Sequence, residues 1–545
     1  MKLHMQSTIF GQLVRWVSRN GTFKYPDEID LSLWKSAVQQ TIPQESQQSH
    51  EPERTNGNID GSERETQMSE ALNGDVEKNE QSMPPRDGPY QVLVNPQNWP
   101  SNLKHLITLQ MCILNFAVYI ASSIYVPGEA NLMEDFGVNE VVATLGLSLF
   151  TFGYGTGPML WSPLSEIPRL GRTHIFFWTL FAFIVFQLPV GFAPNISVFL
   201  VFRFVTGFCG SPCLSTGGGT INDMYPPTQV PYPLVLWQSA GVLGPVFGPV
   251  IGGYLAPATG WRWTIWVFTF LCTAVLFTMF FLLPETSASN ILYKRAKRLR
   301  AATGNERLRS QTEVDTTHYT VKDNLLLLGR AFTLTFLEPI VLLVDLYAGL
   351  LYGVLFIWFE SFPVVFGGIY GFNVGSQGLV FLSILVFTAI TMTAFLFWIK
   401  RRLVPAMKSS NFRPEMFLPP SFVGCFALPI CLFWFGWSAR ESIHWIVPTI
   451  GAGSFAIGVV TLFNSVYTYI GIVYAPYAAS LFAGAALFRA LLGGAFPLFA
   501  RELFYRLGVG PGNSLLGGIA VLFIPIPFAL FYYGERIRGW SKRAG

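Results

Sequence analysis

The chain has 545 residues, of which 51% are hydrophobic and only 12% charged, about half the charged share of a soluble domain. So few charges do not coat a water-facing surface of this size. The formal net charge of +4 is too small to point to nucleic acid. The six cysteines, at 112, 209, 213, 272, 425 and 431, fall in apolar runs rather than in spaced pairs, which argues against a disulfide framework or a metal site. Aromatic residues make up 15%, with 49 Phe, and the mean hydropathy is +0.41, a profile suited to lipid-facing surface with aromatic belts.

Residues 1–100 read as a cytoplasmic, largely disordered tail, because the run from Gln44 to Asp87 is rich in Glu, Gln, Ser, Asn and Gly and poor in large apolar residues. Met1 to Val17 is mildly amphipathic and basic without a long apolar run, so no cleaved signal peptide is expected; an interfacial helix is the alternative.

From His105 onward, apolar runs of about twenty residues recur, the length that crosses a hydrocarbon core. They fall near 105–126, 141–161, 174–193, 197–220, 232–256, 263–283, 337–359, 376–399, 419–437, 444–468, 476–499 and 513–533. Each must be a helix, because lipid satisfies no backbone hydrogen bond. The expectation is an all-α polytopic membrane protein: a six-helix bundle over 101–283, a cytoplasmic linker over 284–336, a second six-helix bundle over 337–534 and a basic tail over 535–545. Two halves of this kind suit alternating access around a central site.

Basic residues set the orientation. Lys294, Arg295, Lys297, Arg298 and Arg300 lie in the linker, Lys400, Arg401, Arg402 and Lys408 after the eighth run, and Arg536, Arg538, Lys542 and Arg543 in the tail. All fall on one side if there are twelve spans. The first loop on the other side carries Glu129, Glu134, Asp135 and Glu140 with no basic residue. Both termini are therefore expected in the cytoplasm. Asn195-Ile196-Ser197 fits a glycosylation acceptor on the outer side.

Several motifs recur in a fixed order: Asn95-Pro96-Gln97-Asn98-Trp99-Pro100; Gly157-Pro158 with Ser162-Pro163-Leu164-Ser165-Glu166 and Gly171-Arg172; Arg203-Phe204 with Gly207; Gly244-Pro245, Gly248-Pro249 and Gly252-Gly253; and Pro284-Glu285-Thr286. On these the sequence resembles the major facilitator superfamily over roughly residues 93–540, and more narrowly the fungal twelve-span drug:proton antiporters, the group of benomyl, methotrexate and fluconazole resistance pumps. The resemblance implies proton-coupled export of small amphipathic drugs or toxins by a plasma-membrane, monomeric protein. It implies the proton gradient as energy source, no cofactor, no catalytic residue and no nucleic acid. A vacuolar location, a narrow physiological solute such as a polyamine, organic acid or secondary metabolite, and a non-transporting sensor remain as alternatives.

The loop from Glu166 to Arg172 places an acid and two bases where ion pairs formed in one state could latch the cytoplasmic face. Gly244, Pro245, Gly248, Pro249 and Gly252 form a small-residue stripe at helical spacing that admits close helix packing, and the prolines remove backbone bonds. The resemblance marks this stripe as the antiporter motif. Ionisable residues inside spans are site candidates by default: Arg203, which the resemblance implicates in proton coupling, Asp223 at the end of the same span, Asp345 midway through the seventh, and Glu360 at its outer end. A carboxyl buried at Asp345 could take up and release a proton, with Arg489 placed to pair with it or with a cytoplasmic carboxyl. Phe116, Tyr119, Tyr125, Trp237, Gln238, Tyr347, Tyr352 and Phe356 lie on spans expected to line a central cavity. No phosphate-binding loop, His-Glu-x-x-His or Gly-x-Ser-x-Gly motif occurs.

Overall fold

A computed structural model describes residues 2–18, 22–25, 28, 95–304, 309, 310, 313, 336, 338–409, 412–474 and 478–539. The Gln44 to Asp87 run lies outside the described residues. Among the described residues twelve long helices, here called spans 1 to 12, follow one another: Ser101–Ser123, Glu140–Glu166, Arg172–Gly191, Ile196–Met224, Pro231–Thr259, Trp261–Leu282, Pro339–Phe362, Val374–Met407, Pro419–Ser438, Ile446–Val473, Ala478–Leu507 and Val509–Arg538. No strand occurs among the described residues.

Eleven of the helices are apolar and long enough to cross a membrane. Span 2, with 27 residues, has the length, but Gly146, Gly153, Gly155, Gly157 and several Ser and Thr dilute its hydropathy. The reason lies in its position. Span 2 packs against spans 4 and 11, and its glycines let those helices approach: a Cβ on Gly153 would stand 2.1 Å from Phe204 O, and one on Gly155 2.0 Å from the Ala490 Cβ.

The two halves repeat one packing scheme. Span 1 packs on 5, 2 on 4 and 3 on 6; correspondingly, 7 packs on 11, 8 on 10 and 9 on 12. Contacts between the halves follow the same exchange, since span 2 meets span 11 and span 8 meets span 5. An internal repeat related by a pseudo-two-fold axis along the membrane normal produces this pattern and puts an interface between two bundles. The face carrying residue 95 and the end of span 12 is called the terminal face below, and the opposite one the distal face.

Helix starts are set by short polar side chains. On the distal face Asn139, Asn195 and Asn373 accept hydrogen bonds from Val142 N, Val198 N and Ser376 N at 2.8–3.0 Å, the N-cap arrangement. Asn195, read above as a glycosylation acceptor, is thereby engaged by its own helix. The tail over 1–100, expected to be largely disordered, begins with two helices, Lys2–Ser7 and Ile9–Val17, in the stretch where a helix was the alternative. Apolar contact holds the second, for Phe10 packs on Phe281 and Phe280 of span 6 at ring distances of 4.9 and 5.9 Å. The linker likewise contains a helix, Ala288–Thr303, capped by Ser287.

Candidate functional site

Between the halves lies a cavity of 460 Å³, a volume typical of small-molecule sites. Span 1 contributes Asn115 and Tyr119, span 5 Trp237 and Gln238, span 7 Tyr352, and spans 10 and 11 Phe463, Tyr467 and Arg489. Gln97, Pro227, Met407 and Phe417, all near the terminal face, edge it as well. The cavity therefore extends to the terminal face, and its walls are mostly apolar and aromatic.

Span 5 supplies much of the wall because its small-residue stripe seats it on span 1. A Cβ on Gly244 would stand 2.5 Å from the Tyr119 Cβ, on Gly248 2.0 Å from Ser123 Oγ, and on Gly252 2.1 Å from Ile124 O. The prolines are accommodated by the same neighbour. Pro249 has no N–H for the carbonyl of Pro245, and Ser123 Oγ donates to that oxygen at 2.9 Å instead. Asn115 Nδ2 donates to Trp237 O at 2.9 Å. The stripe thus fixes the depth at which Trp237 and Gln238 meet the cavity.

Of the residues expected at a cavity, Tyr119, Trp237, Gln238 and Tyr352 line this one, and the Tyr119 and Tyr352 hydroxyls approach to 3.4 Å across the two halves. The other four are elsewhere for packing reasons. Phe116 meets Phe247 edge-on at 5.5 Å, Tyr347 stacks on Phe523 of span 12 at 5.2 Å, Phe356 stacks on Tyr352 at 6.3 Å from one turn further along span 7, and Tyr125 donates to Ala143 O. Residue 347 projects to a face of span 7 other than that of 352, turned to its own half, whereas Phe356 shares the face of Tyr352 one turn nearer the closed distal end, beside Gly493 and Thr151.

The distal end is closed by charge and by close packing. Arg501 of span 11 donates from Nε to Glu360 Oε2 of span 7 at 2.6 Å, contacts Glu140 of span 2, and lies 4.0 Å from Glu129 after span 1. Two of these carboxylates belong to one half, while Glu360 and Arg501 belong to the other. Three acids share one guanidinium; Glu129 and Glu360 are buried, whereas Arg501 and Glu140 are partly exposed. Next to them spans 5 and 8 touch through backbone: a Cβ on Gly378 would stand 2.3 Å from Pro249 O, and one on Gly253 2.8 Å from Val374 O. Arg501 was absent from the sequence expectations. Its signal was an arginine at the outer end of an apolar run, against the usual bias of basic residues toward the cytoplasm.

At the terminal face the latch expected around Glu166 has a different form. Arg172 pairs with Asp223 of the same half, Nε to Oδ2 at 2.7 Å, so the bond does not cross to the other bundle. Glu166 is exposed and makes no ion pair among the described residues. Glu285, from the Pro-Glu-Thr motif, instead accepts from Arg172 N at 3.0 Å and Thr173 N at 3.4 Å, placing a carboxylate on the positive end of span 3. Gly171 makes room for it, with φ +74° and a Cβ site only 2.4 Å from Glu285 Oε2.

Arg203 is fully buried and spends its donors on backbone: Nε to Gly146 O at 3.0 Å, and its terminal nitrogens to Ala121 O at 2.9 Å and Ser122 O at 3.3 Å. It also lies 4.6 Å from the rings of Tyr125 and Phe150. It therefore ties span 4 to spans 1 and 2. Asp345 is buried outside the cavity lining, and its Oδ2 has no hydrogen-bond partner among the described residues. Arg489 acts on it electrostatically without forming an ion pair.

Twelve helices in two repeated bundles around a central cavity define an alternating-access membrane carrier. Residues 111–497 match the profile of the Major Facilitator Superfamily, and the chain belongs to that family. It is 40% identical to Transporter mfs1 of Schizosaccharomyces pombe over 83% of this chain and 86% of that protein. It is 38% identical to Fluconazole resistance protein 1 of Saccharomyces cerevisiae over 87% of each, and 37% identical to the Cycloheximide resistance protein of Candida maltosa over 83% of this chain and 84% of that one. Among solved structures it is similar in fold to the proton:xylose symporter XylE, with TM-score 0.57, 15% identity and coverage of 79% of this chain and 97% of that one.

Proposed function

We propose that this protein exports small amphipathic drugs or toxins by proton-coupled antiport in the plasma membrane, with the terminal face in the cytoplasm. The observation that carries the reading is the cavity itself: apolar and aromatic, set between the halves, reaching the terminal face and shut at the distal one by Arg501 and its carboxylates. A molecule partitioning from the cytoplasm or inner leaflet would enter there. Parting of the Arg501 cluster and of the span 5 to span 8 seam would release it outside. The resistance proteins among the relatives support the same direction.

Coupling requires only that proton and substrate favour different states. Glu360, Glu129 and Glu140 are the acids whose protonation would weaken the distal closure, and Asp345 is a buried acid that feels the charge of Arg489 in the cavity wall. Arg203 acts in this scheme by holding the end of span 1 against span 2, and Asp223 by holding Arg172. The mixed basic side, with Lys294, Arg401 and Arg536 near the terminal face, supports the assigned orientation.

The test is efflux of a fluorescent amphipathic drug from energised cells expressing the protein, with and without a protonophore. Export that collapses with the proton gradient is the expected result. Unchanged drug retention in expressing and control cells would overturn it.

A further inference from the structure

We infer that Arg489 is the substrate anchor of the central cavity, and that it selects amphipathic molecules bearing a carboxylate or carbonyl oxygen while rejecting organic cations. This rests on the export reading above and names its substrate class. Among the described residues lining the cavity, Arg489 alone is charged. Its Nε donates to Ala485 O, one turn back in its own helix, at 3.3 Å. Its terminal nitrogens make no hydrogen bond, and it forms no ion pair, among the described residues. Arginine carries five N–H donors, accepts nothing and stays charged, so a fork of donors faces the space a substrate would occupy.

What holds the charge there is aromatic. The guanidinium carbon lies 5.1 Å from the Tyr352 ring, 5.6 Å from Phe463 and 5.8 Å from Tyr467, distances at which ring faces attract a cation. Such contacts occupy no N–H in a hydrogen bond, which leaves the fork available for a planar oxygen acceptor. Asp345 stands outside the lining and does not pair with it.

One more donor lies in the wall: the Tyr467 hydroxyl has no hydrogen-bond partner among the described residues, although Tyr467 lines the cavity and is only 8% exposed. Trp237 Nε1 is unpartnered too among the described residues, but it packs against Gly217 of span 4. The unpartnered acceptors Asn115 Oδ1 and Gln238 Oε1 are neutral amides. A cation entering would meet a like charge in a low-dielectric space with no carboxylate among the described lining residues to pair with it, Asp345 acting on Arg489 only from outside the lining. An oxygen acceptor would meet a charge-assisted donor.

The purified full-length protein is titrated by fluorescence polarisation with two dyes of similar size, anionic fluorescein and cationic rhodamine 6G. Wild type is expected to prefer fluorescein. Arg489→Gln should weaken fluorescein about tenfold or more, the scale of a hydrogen bond to a charged group, while rhodamine 6G binds as well or better; Arg489→Lys should recover part of the loss. Tyr467→Phe, which keeps the ring and removes only the unpartnered hydroxyl, should weaken fluorescein a few-fold and serves if the glutamine variant does not fold. A preference of wild type for rhodamine 6G, unchanged fluorescein affinity in Arg489→Gln, or equal loss of both dyes would overturn the inference. Dye selectivity that holds while cellular export ignores the protonophore would instead count against proton coupling alone.

Discussion

Arg501 Nε lies 2.6 Å from Glu360 Oε2, and the same guanidinium reaches Glu140 and Glu129 in the opposite half. One cation therefore joins spans 1, 2, 7 and 11 at the distal face. Arg501→Gln leaves three carboxylates facing one another. Breaking a buried ion pair costs about 3–5 kcal/mol, less here because Arg501 and Glu140 are partly exposed. The outward-open population should rise. Spin labels at the exposed positions Glu134 and Glu441, one in each half, should report a longer distance in the variant than in wild type. An unchanged distance would remove Arg501 from the closure.

The span 5 stripe makes a second commitment. A valine at Gly248 has no room, since its Cβ alone would stand 2.0 Å from Ser123 Oγ and 2.9 Å from Ile124 N. Overpacking of this kind costs about 1–3 kcal/mol, and transport should fall while some folded protein remains. Gly518→Ala, where nothing lies within 4 Å, is the matched control and should transport normally. Equal activity of both variants would show that the span 1 to span 5 approach is not needed for the cycle.

At the terminal face, Glu285→Gln should cost about 0.5–2 kcal/mol, the usual range for losing a helix N-cap, because it weakens the bonds to Arg172 N and Thr173 N. The melting temperature of the detergent-purified protein measures this. Asp223→Asn should add a separate loss by leaving Arg172 without its carboxylate. The exchanged pair, Arg172→Asp with Asp223→Arg, should recover part of that loss if the contact itself matters.

Asp345 is buried without an ion pair, in the half that carries Arg489. If it takes part in proton coupling, Asp345→Asn flattens the dependence of transport rate on external and internal pH while dye binding persists. A wild-type pH profile in this variant would take Asp345 off the proton path and leave the Arg501 carboxylates as the remaining acids.

Much of the architecture was legible in the linear chain, because lipid allows only closed backbone hydrogen bonding and so turns each apolar run of sufficient length into a helix. The twelve runs, the six-and-six division around the linker and the motif order all follow from local composition and spacing. Helix ends were less accurate. Span 11 reaches Leu507 rather than 499, since Arg501 finds its partners in other spans and so stays within the helix. The stripe at Gly244, Gly248 and Gly252 announced close packing but not its partner, which is span 1.

The site divided along the same line. Single residues such as Tyr119, Trp237, Gln238 and Tyr352 were readable as cavity candidates from their spans. Which face each helix turns inward was not, and so Phe116 and Tyr347 pack against other helices, while Phe356, on the same face as Tyr352, lies one turn nearer the closed distal end. Pairings were decided by the tertiary structure alone: Arg172 with Asp223, Arg203 with the backbone of spans 1 and 2, Arg501 with acids up to 372 positions away, and Arg489 with aromatic rings rather than a carboxylate. Composition and periodicity determine that a segment is helical and how deep it lies in lipid. Partnership depends on the rotation and tilt of helices distant in sequence, which no local pattern encodes.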